Sequence, residues 1–245
     1  MALLFAREGA RVVIWDRNAA GAAATTREIL AEGGQAIDVL VDVTRAADIR
    51  SAVTRSVHTF GRLDILVNIA GFSLGDGILE TDESTWDANL AVILTGAFLC
   101  TRAILPTMIE QGKGAIVNIA SVNGLLGLGE EAYSAAKAGL INLIKNLAVR
   151  SGAQGVRANV ICPGTIRTPI WEPVLARNPQ TFDNLTRWYS LGRVGESEDV
   201  AEAALLLASD AASWITGVVL PVDGGLTAGL QRMAVELHGD EVNDL

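Results

Sequence analysis

Two hydrophobic patterns alternate along the chain. Short, continuous apolar runs bounded by glycine or polar residues are typical of strands buried on both faces. Longer segments between them carry apolar residues at three- and four-residue spacing, which predicts amphipathic helices. The predicted strands cover residues 11–15, 36–41, 64–68, 115–119, 156–161 and 218–223, and the predicted helices cover 2–8, 19–32, a segment ending at 60, 83–111, a segment beginning near 133, and 198–208. This alternation predicts an α/β fold, a doubly wound, Rossmann-like parallel sheet in three layers.

Length and composition limit the organisation and the partners. The 245 residues suit one α/β domain, predicted over residues 1–228, with a solvated tail over 229–245. Half of the residues are hydrophobic and 19% are charged, which favours a homo-oligomer, a dimer or a tetramer. A formal charge of −9 argues against nucleic acid and anionic membranes as partners, because both require a basic patch.

Cysteine and histidine usage predicts neither disulfides nor a metal site. Cys100 and Cys162 lie in apolar contexts and suit buried thiols in a reducing compartment. His58 and His238 are too few and too far apart for a metal-ligand cluster. The first six residues are apolar, but Arg7 follows at once, so a signal peptide or membrane span is not expected. A cytoplasmic protein is therefore predicted.

A hydroxyl, a phenol and an ammonium occur together in the segment 121–137. Tyr133 and Lys137 are four residues apart at the start of a predicted helix, so they share one helical face. Ser121 follows a predicted buried strand, and a short glycine-rich link returns the chain to the helix start. Because a nearby ammonium favours the phenolate, Lys137 is expected to lower the pKa of Tyr133.

These residues resemble the signature of the short-chain dehydrogenase/reductase family, a Ser followed by Tyr-x-x-x-Lys. The resemblance implies hydride transfer between a nicotinamide cofactor and a small-molecule substrate, a secondary alcohol or a ketone. It also implies that Tyr133 exchanges a proton with the substrate oxygen. Lys137 would lower the pKa of Tyr133 and hold the nicotinamide ribose, and Ser121 would position the carbonyl. By itself, Tyr-x-x-x-Lys also occurs on ordinary helices as a half-buried Tyr beside a solvated Lys.

Acidic residues after the second and third family strands extend the resemblance. Asp16 would hydrogen-bond the adenine ribose and favour NAD over NADP, although the adjacent Arg17 keeps NADP as a second option. Asp16 could instead only start the next helix. Asp42 and Val43 correspond to the adenine contact, while Thr44 is predicted to cap the following helix.

Two further loops resemble the family's cofactor site. Asn68-Ile69-Ala70-Gly71 corresponds to Asn-Asn-Ala-Gly, so Asn68, Ala70 and Gly71 are predicted to lie against the cofactor, with Ile69 replacing one Asn. The second loop follows the strand 156–161. Its predicted nicotinamide contacts are Pro163, Gly164, Ile166 and Thr168, although simple turn chemistry is the alternative.

The helix 83–111 departs from the family at its proton relay. The family has an Asn where this chain has Ile93, and isoleucine cannot hold the water that links the Lys to solvent. Asn89 lies four residues earlier and is expected to be a solvated helix residue. Residues 170–192 correspond to the family's substrate lid. Their four aromatics, Trp171, Phe182, Trp188 and Tyr189, suit either an apolar substrate or a lid anchored on the core.

The resemblance begins inside the family's first helix, so the first strand and its glycine-rich phosphate loop are absent from residues 1–245. Two interpretations stay open: a sequence that starts late, or a diverged member with an impaired cofactor site. Residues 11–16 would then have to pair directly with residues 64–68 or accept a strand from another chain. The predicted function is an NAD(H)- or NADP(H)-dependent oxidoreductase, with a catalytically impaired binding or assembly subunit as the alternative.

Overall fold

The computed structural model describes residues 1–75, 77–229 and 231–237. Helices and short parallel strands alternate along them, which confirms the predicted α/β class. The strands are β1 Arg11–Asp16, β2 Gln35–Leu40, β3 Ile65–Asn68, β4 Gly114–Ile119, β5 Val156–Pro163, β6 Ile166–Arg167, β7 Gly195–Glu196 and β8 Val219–Val222. The helices are α1 Ala2–Arg7, α2 Ala19–Ala31, α3 Ala46–Phe60, α4 Glu83–Asn89, α5 Gly96–Gln111, α6 Glu131–Ser151, α7 Glu172–Arg177, α8 Thr181–Thr186, α9 Ser197–Ala208 and α10 Gln231–Leu237.

The main sheet contains four parallel strands in the order β3-β4-β5-β8. Its centre is the most deeply buried part of the protein: Ile116 and Val117 of β4 and Val160 and Ile161 of β5 have no exposed surface. Helices α5 and α6 cover one face and α9 covers the other, giving the predicted three layers. Helices cover both faces of this sheet, and its strands are therefore continuous apolar runs rather than alternating polar and apolar residues.

A second sheet contains β1 and β2, which are parallel from Arg11↔Gln35 to Asp16↔Leu40. Among the described residues, no strand pairing joins β1 to β3. Direct pairing of these two strands, one of the two arrangements considered above, is therefore not formed. The space between them is a cavity of about 810 Å³, which we call the β1–β3 slot.

The predicted helix 83–111 has the expected ends but is not uniform. Residues Leu90–Thr95 form a π-helical segment between α4 and α5. Among the described residues, this is the one helix that is long and apolar enough to cross a membrane. Ile93, Ile104 and Met108 of this helix lie in the hydrophobic core, so it is a core helix.

The structure differs from the sequence prediction at the start of α3 and in the C-terminal tail. Thr44 does not cap α3, because the N-cap is Arg45 and makes no side-chain capping bond; Thr44 instead donates to Asp42. Within the predicted tail, residues 231–237 form α10. The rest of the tail prediction, residues 230 and 238–245, falls outside the described residues.

Candidate active site

The predicted catalytic residues converge beyond the carboxyl ends of β4 and β5. Ser121 follows β4, and Tyr133 and Lys137 lie in the first two turns of α6. The helix starts sharply after Gly129 and Glu130, which both have positive φ. This tight entry directs the amino end of α6 back over the strand ends, so three residues distant in sequence occupy one site.

Lys137 is an almost fully buried cation. Its Nζ donates a hydrogen bond of 2.7 Å to the backbone carbonyl of Ile119 and lies 5.5 Å from the centroid of the Tyr133 ring. Burial lowers the pKa of Lys137 to about 8, because the low-dielectric surroundings disfavour the ammonium. At pH 7 the side chain therefore stays mainly charged, but it is close to losing its proton.

The pKa of Tyr133 shifts in the opposite direction from that predicted. Burial raises it above the ordinary value of 10, and the Ser121 hydroxyl offsets this only in part. The sequence argument considered the charge of Lys137 but not the cost of burying a phenolate. Tyr133 is consequently a neutral phenol at pH 7, the form that can donate a proton.

Ser121 is held by a neighbour that the sequence analysis missed. Its hydroxyl donates to Asn123 Oδ1 at 3.2 Å and accepts from the Asn123 amide at the same distance. Asn123 Nδ2 in turn donates to Glu130 at 3.4 Å. The only sequence signal was an Asn two residues after a strand-end Ser, a common local turn pattern.

The relay position is apolar. Ile93 is 1% exposed, and a Cβ placed on Gly71 would lie 3.4 Å from Ile93 Cγ1 and 3.5 Å from Lys137 Nζ. A hydrocarbon side chain therefore occupies the wall beside Lys137, as the sequence predicted. Asn89, however, is not a solvated residue: it is fully buried and donates to the carbonyls of Leu74 and Thr85. That expectation was wrong, because Asn89 anchors the loop after β3.

Six of the predicted cofactor residues line the β1–β3 slot: Asp16, Asp42, Val43, Asn68, Ala70 and Gly71. Asp16 Oδ1 accepts from the Asn18 amide at 2.8 Å, and Asn18 caps α2, so Asp16 also has the helix-starting role given as its alternative. Hydrogen bonds from Thr44 lower the pKa of Asp42.

A pair of amides crosses the strand ends. Asn68 Nδ2 donates to Asn118 Oδ1 at 2.8 Å, linking β3 to β4 in register. Asn118 Nδ2 is buried and has no hydrogen-bond partner among the described residues. Ile69 stands where the resemblance places a second Asn, and its side chain is 53% exposed.

Tyr133 and Lys137, also predicted to contact the cofactor, lie on α6. The remaining four candidates, Pro163, Gly164, Ile166 and Thr168, lie at the end of β5 and in the segment that follows it, outside the slot. A Cβ on Gly164 would lie 2.9 Å from the Tyr189 ring and 3.1 Å from the Asp223 backbone, so only glycine fits. The Thr165 amide donates to the Tyr189 hydroxyl at 2.8 Å. The loop is therefore fixed by the segment that follows it.

The lid aromatics divide between the two roles considered for them. Phe182 and Tyr189 are buried with Val194, and Trp171 packs edge-on against Phe182 at 5.7 Å. Trp188 is 48% exposed. Three of the four aromatics therefore anchor the lid. The sequence analysis did not predict that the Tyr189 hydroxyl also fixes the segment after β5.

Comparison with known proteins identifies the family. A sequence model described as enoyl-(acyl carrier protein) reductase matches residues 1–227. A crystal structure of a short-chain dehydrogenase/reductase family oxidoreductase from Burkholderia thailandensis is 44% identical, with a TM-score of 0.90 over 99% of this chain and 93% of that one. The chain belongs to the short-chain dehydrogenase/reductase family.

Two further relatives include one that is named inactive. An uncharacterized oxidoreductase of Schizosaccharomyces pombe is 43% identical over 85% of this chain and 81% of its own length. The inactive 2-(S)-hydroxypropyl-CoM dehydrogenase 2 of Xanthobacter autotrophicus is 40% identical over 93% of this chain and 100% of its own. High similarity within this family therefore extends to a protein without activity.

The residues present fit the two ends of a nicotinamide dinucleotide better than its middle. At one end, the exposed Asp16 carboxylate suits ribose hydroxyls. At the other, Gly71 leaves space beside Lys137 that a Cβ would fill, and Gly164 brings backbone close to the strand ends. Between these ends, the turn from β1 into α2 is Arg17-Asn18, which contains no glycine that would let the backbone approach a pyrophosphate closely.

Proposed function

We propose that this protein is an oxidoreductase that interconverts a secondary alcohol and a ketone with NAD(H), with NADP(H) as the second option. The observation that carries the proposal is the convergence of Ser121, Tyr133 and Lys137 beside the space kept open by Gly71. A phenol, a buried ammonium and a hydroxyl at the strand ends are suited to moving one proton at a substrate oxygen.

In the reducing direction, the Tyr133 hydroxyl donates its proton to the carbonyl oxygen, and in the oxidising direction the phenolate takes it back. The raised pKa of Tyr133 favours the protonated form and hence ketone reduction near pH 7. Ser121 holds the carbonyl oxygen in place. Lys137 stabilises the phenolate after its proton has left. When bound, the nicotinamide supplies or accepts the hydride.

Residues can be assigned to each part of the proposed cofactor. When a cofactor is bound, Asp16 would hold the adenine ribose, and Asp42 and Val43 would contact the adenine. Ala70, Gly71 and Lys137 would lie against the nicotinamide ribose, beside the strand end that Asn68 fixes through its bond to Asn118. Pro163, Gly164, Ile166 and Thr168 would contact the nicotinamide carboxamide, and the close packing of Gly164 against Asp223 supports this assignment.

We also propose a cytoplasmic homo-oligomer, a dimer or tetramer, whose protomer is one domain over residues 1–228. The support is the number of large apolar side chains on the surface. Val149 is 86% exposed and Trp214 is 99% exposed, which is costly unless another subunit covers them.

An NADH fluorescence titration tests the cofactor proposal. With the wild-type protein, we expect NADH fluorescence to increase and then saturate as protein is added. With Lys137→Met we expect weaker NADH binding, because the ammonium next to Gly71 is lost. Lys113→Met is the matched control, since Lys113 pairs with Asp210 on the exposed surface. A folded wild-type sample that shows no saturable binding overturns the proposal.

A second candidate function is a catalytically impaired binding or assembly subunit. Ile93 beside Lys137 favours it, because isoleucine cannot hold the water that the family's proton relay uses. The similarity to an inactive dehydrogenase supports it further. Turnover that depends on Tyr133 rules it out.

A further inference from the structure

The backbone at Glu130, directly before α6, is strained. Its φ is 58° and its ψ is 62°, and among the described residues it is the one non-glycine residue with positive φ. This left-handed conformation is unfavourable for a residue with a Cβ, and a glycine at position 130 would adopt it without strain. Such strain persists mainly at functional sites, which indicates a role for the Glu130 side chain.

One side chain connects the Glu130 carboxylate to Ser121. Glu130 Oε2 accepts a hydrogen bond from Asn123 Nδ2 at 3.4 Å, and Asn123 Oδ1 accepts one from the Ser121 hydroxyl at 3.2 Å. Exposure increases along this path, because Ser121 is buried, Asn123 is half-buried and Glu130 is exposed. The path therefore leads from the proposed position of the substrate carbonyl to solvent. A substrate that lies along it brings its far end to Glu130.

The charge of Glu130 also acts on the proposed proton donor. Glu130 precedes Tyr133 by three residues, a spacing that brings two side chains together at the start of a helix. Burial is the main cause of the raised pKa of Tyr133, and the negative charge of Glu130 adds to it. Because Coulomb interactions weaken with distance, this contribution agrees with a carboxylate close to the site of proton transfer.

The Glu130 carboxylate has no ion-pair partner within the described part of the chain. Lys137 is buried, and its ammonium donates to the Ile119 carbonyl. Arg167, which precedes the lid, pairs with Glu196. An exposed carboxylate without a cation at the end of the substrate path attracts positive groups and repels negative ones.

We propose that Glu130 determines substrate specificity. The site takes an aliphatic secondary alcohol or ketone that carries an ammonium group a few bonds from the reacting carbon, and it disfavours a carboxylate there. Ser121 and Tyr133 hold the oxygen, and Glu130 pairs with the ammonium. Three exposed leucines in the link 125–128 offer hydrocarbon contact for the carbon skeleton. This inference rests on the proposed function, because it names the substrate class of the same site.

Three alcohols of similar shape test the charge preference. At neutral pH, 1-(dimethylamino)propan-2-ol is a cation, 4-methylpentan-2-ol is its neutral isostere, and 3-hydroxybutyrate carries a carboxylate at the same place. Hydride transfer from the carbinol carbon to NAD+ is followed as NADH formation and gives kcat/KM for each alcohol. We expect the cation to exceed the neutral alcohol by about fivefold, as for a partly exposed charge pair, and the anion to fall below it.

Ligand-observed NMR measures the same preference without turnover. The dissociation constants of the three alcohols are determined with the full chain in the presence of NADH. We expect the same order, with the cation bound about fivefold more tightly than its neutral isostere.

Glu130→Gln separates the charge from the hydrogen bond. The amide retains an oxygen that can accept from Asn123, so a purely structural role leaves the preference unchanged, whereas we expect it to disappear. Glu130→Lys should reverse the order in favour of 3-hydroxybutyrate. Glu131→Gln is the matched control: it removes the same charge one residue later, where the side chain lines a separate cavity beside Trp86 and Asp87 of α4, and it should retain the preference.

The role of Glu130 and the proposed function fail in different ways. Turnover of the three alcohols without a cation preference, or a preference that persists in Glu130→Gln, overturns the role of Glu130 and leaves the oxidoreductase proposal intact. A folded protein that binds none of the three alcohols also overturns this role. A cation preference in binding that depends on Glu130, without any turnover, supports the role of Glu130 and counts against the oxidoreductase proposal alone.

Discussion

The two halves of the sheet differ in how completely their strands are enclosed. In β4 and β5, almost every residue is buried, and each strand has a parallel neighbour on both sides. In β1, no residue is fully buried, and within the described part of the chain one edge alone is paired. Ser121, Tyr133 and Lys137 stand on the enclosed half, whereas Asp16 and Asp42 stand beside the open slot. The residues proposed for proton transfer and those proposed for the adenine end of the cofactor therefore lie on parts of the sheet that are enclosed to different degrees, and the following predictions test that difference.

The largest expected effect comes from removing the phenol. Tyr133→Phe should lower kcat by about 10²–10⁴-fold because the proton donor is lost. The NADH dissociation constant should stay unchanged, since the enclosed half keeps its packing. Steady-state kinetics and fluorescence titration measure the two quantities. Unchanged turnover in the variant would falsify the role of Tyr133 as the acid or base.

A smaller effect is expected in the open half. Asp16→Ala should weaken NADH binding by about tenfold, because hydrogen bonds from ribose hydroxyls to a carboxylate are lost. NADPH should lose less or gain, since the negative charge that repels its phosphate is removed. Titration of both cofactors measures the ratio. Asn18→Ala is the control: it removes the cap of α2 and costs about 1 kcal/mol of stability without altering the preference. An unaltered preference in Asp16→Ala would leave Asp16 only its helix-starting role.

A polar side chain at position 93 tests whether the missing relay limits turnover at Tyr133 and Lys137. Ile93→Asn should raise kcat by about tenfold, about 1.4 kcal/mol of barrier, if the missing relay limits proton transfer. The buried amide should also lower the free energy of unfolding by roughly 1–3 kcal/mol. Kinetics and urea unfolding measure both. Ile93→Val should affect stability alone, and an equal rate in both variants contradicts the relay hypothesis.

The smallest effect is a pH dependence of stability. The folded pKa of Lys137 is about 8 against an ordinary 10.5, so between these values the unfolded chain holds a proton that the folded chain has released. The free energy of unfolding should therefore rise with pH above about 8. Burial raises the pKa of the Cys100 and Cys162 thiols from 9 to about 11, so these groups oppose the rise above about pH 9, and the raised pKa of Tyr133 opposes it above pH 10. Urea unfolding between pH 8 and 9 therefore isolates Lys137. Lys137→Met should remove the rise, and Lys113→Met should retain it. A rise that persists in Lys137→Met assigns it to another group.

The sequence was informative where one local pattern determined the structure. Continuous apolar runs predicted β4 and β5, and four-residue spacing predicted that Tyr133 and Lys137 share a face of α6. The departure at Ile93 was also visible, because a resemblance shows which residue type is missing. These properties depend on residues close in sequence or on a recognised motif.

The sequence failed where distant residues set the outcome. Burial raises the pKa of Tyr133, whereas the sequence predicted that it is lowered. Asn89 was predicted to be solvated, but it is buried because it donates a hydrogen bond to the carbonyl of Leu74 in the loop after β3. Tyr189 was considered for the substrate or the core, but its hydroxyl fixes the β5 loop through Thr165. Each outcome depends on which segments meet, and neither periodicity nor spacing contains that information.

The separation of β1 from β3 also has a consequence for cooperativity. Among the described residues no backbone ladder joins β1 to β3. The unit formed by α1, β1, α2 and β2 is therefore held to the rest of the protein by side-chain contacts, such as the hydrogen bond from Trp15 Nε1 to Ser56 Oγ and the packing of Phe5 against α9. Its loss would break no hydrogen bond of the four-stranded sheet. We therefore expect two unfolding transitions in a calorimetric scan, with the smaller unit melting first, and a van't Hoff enthalpy below the calorimetric one.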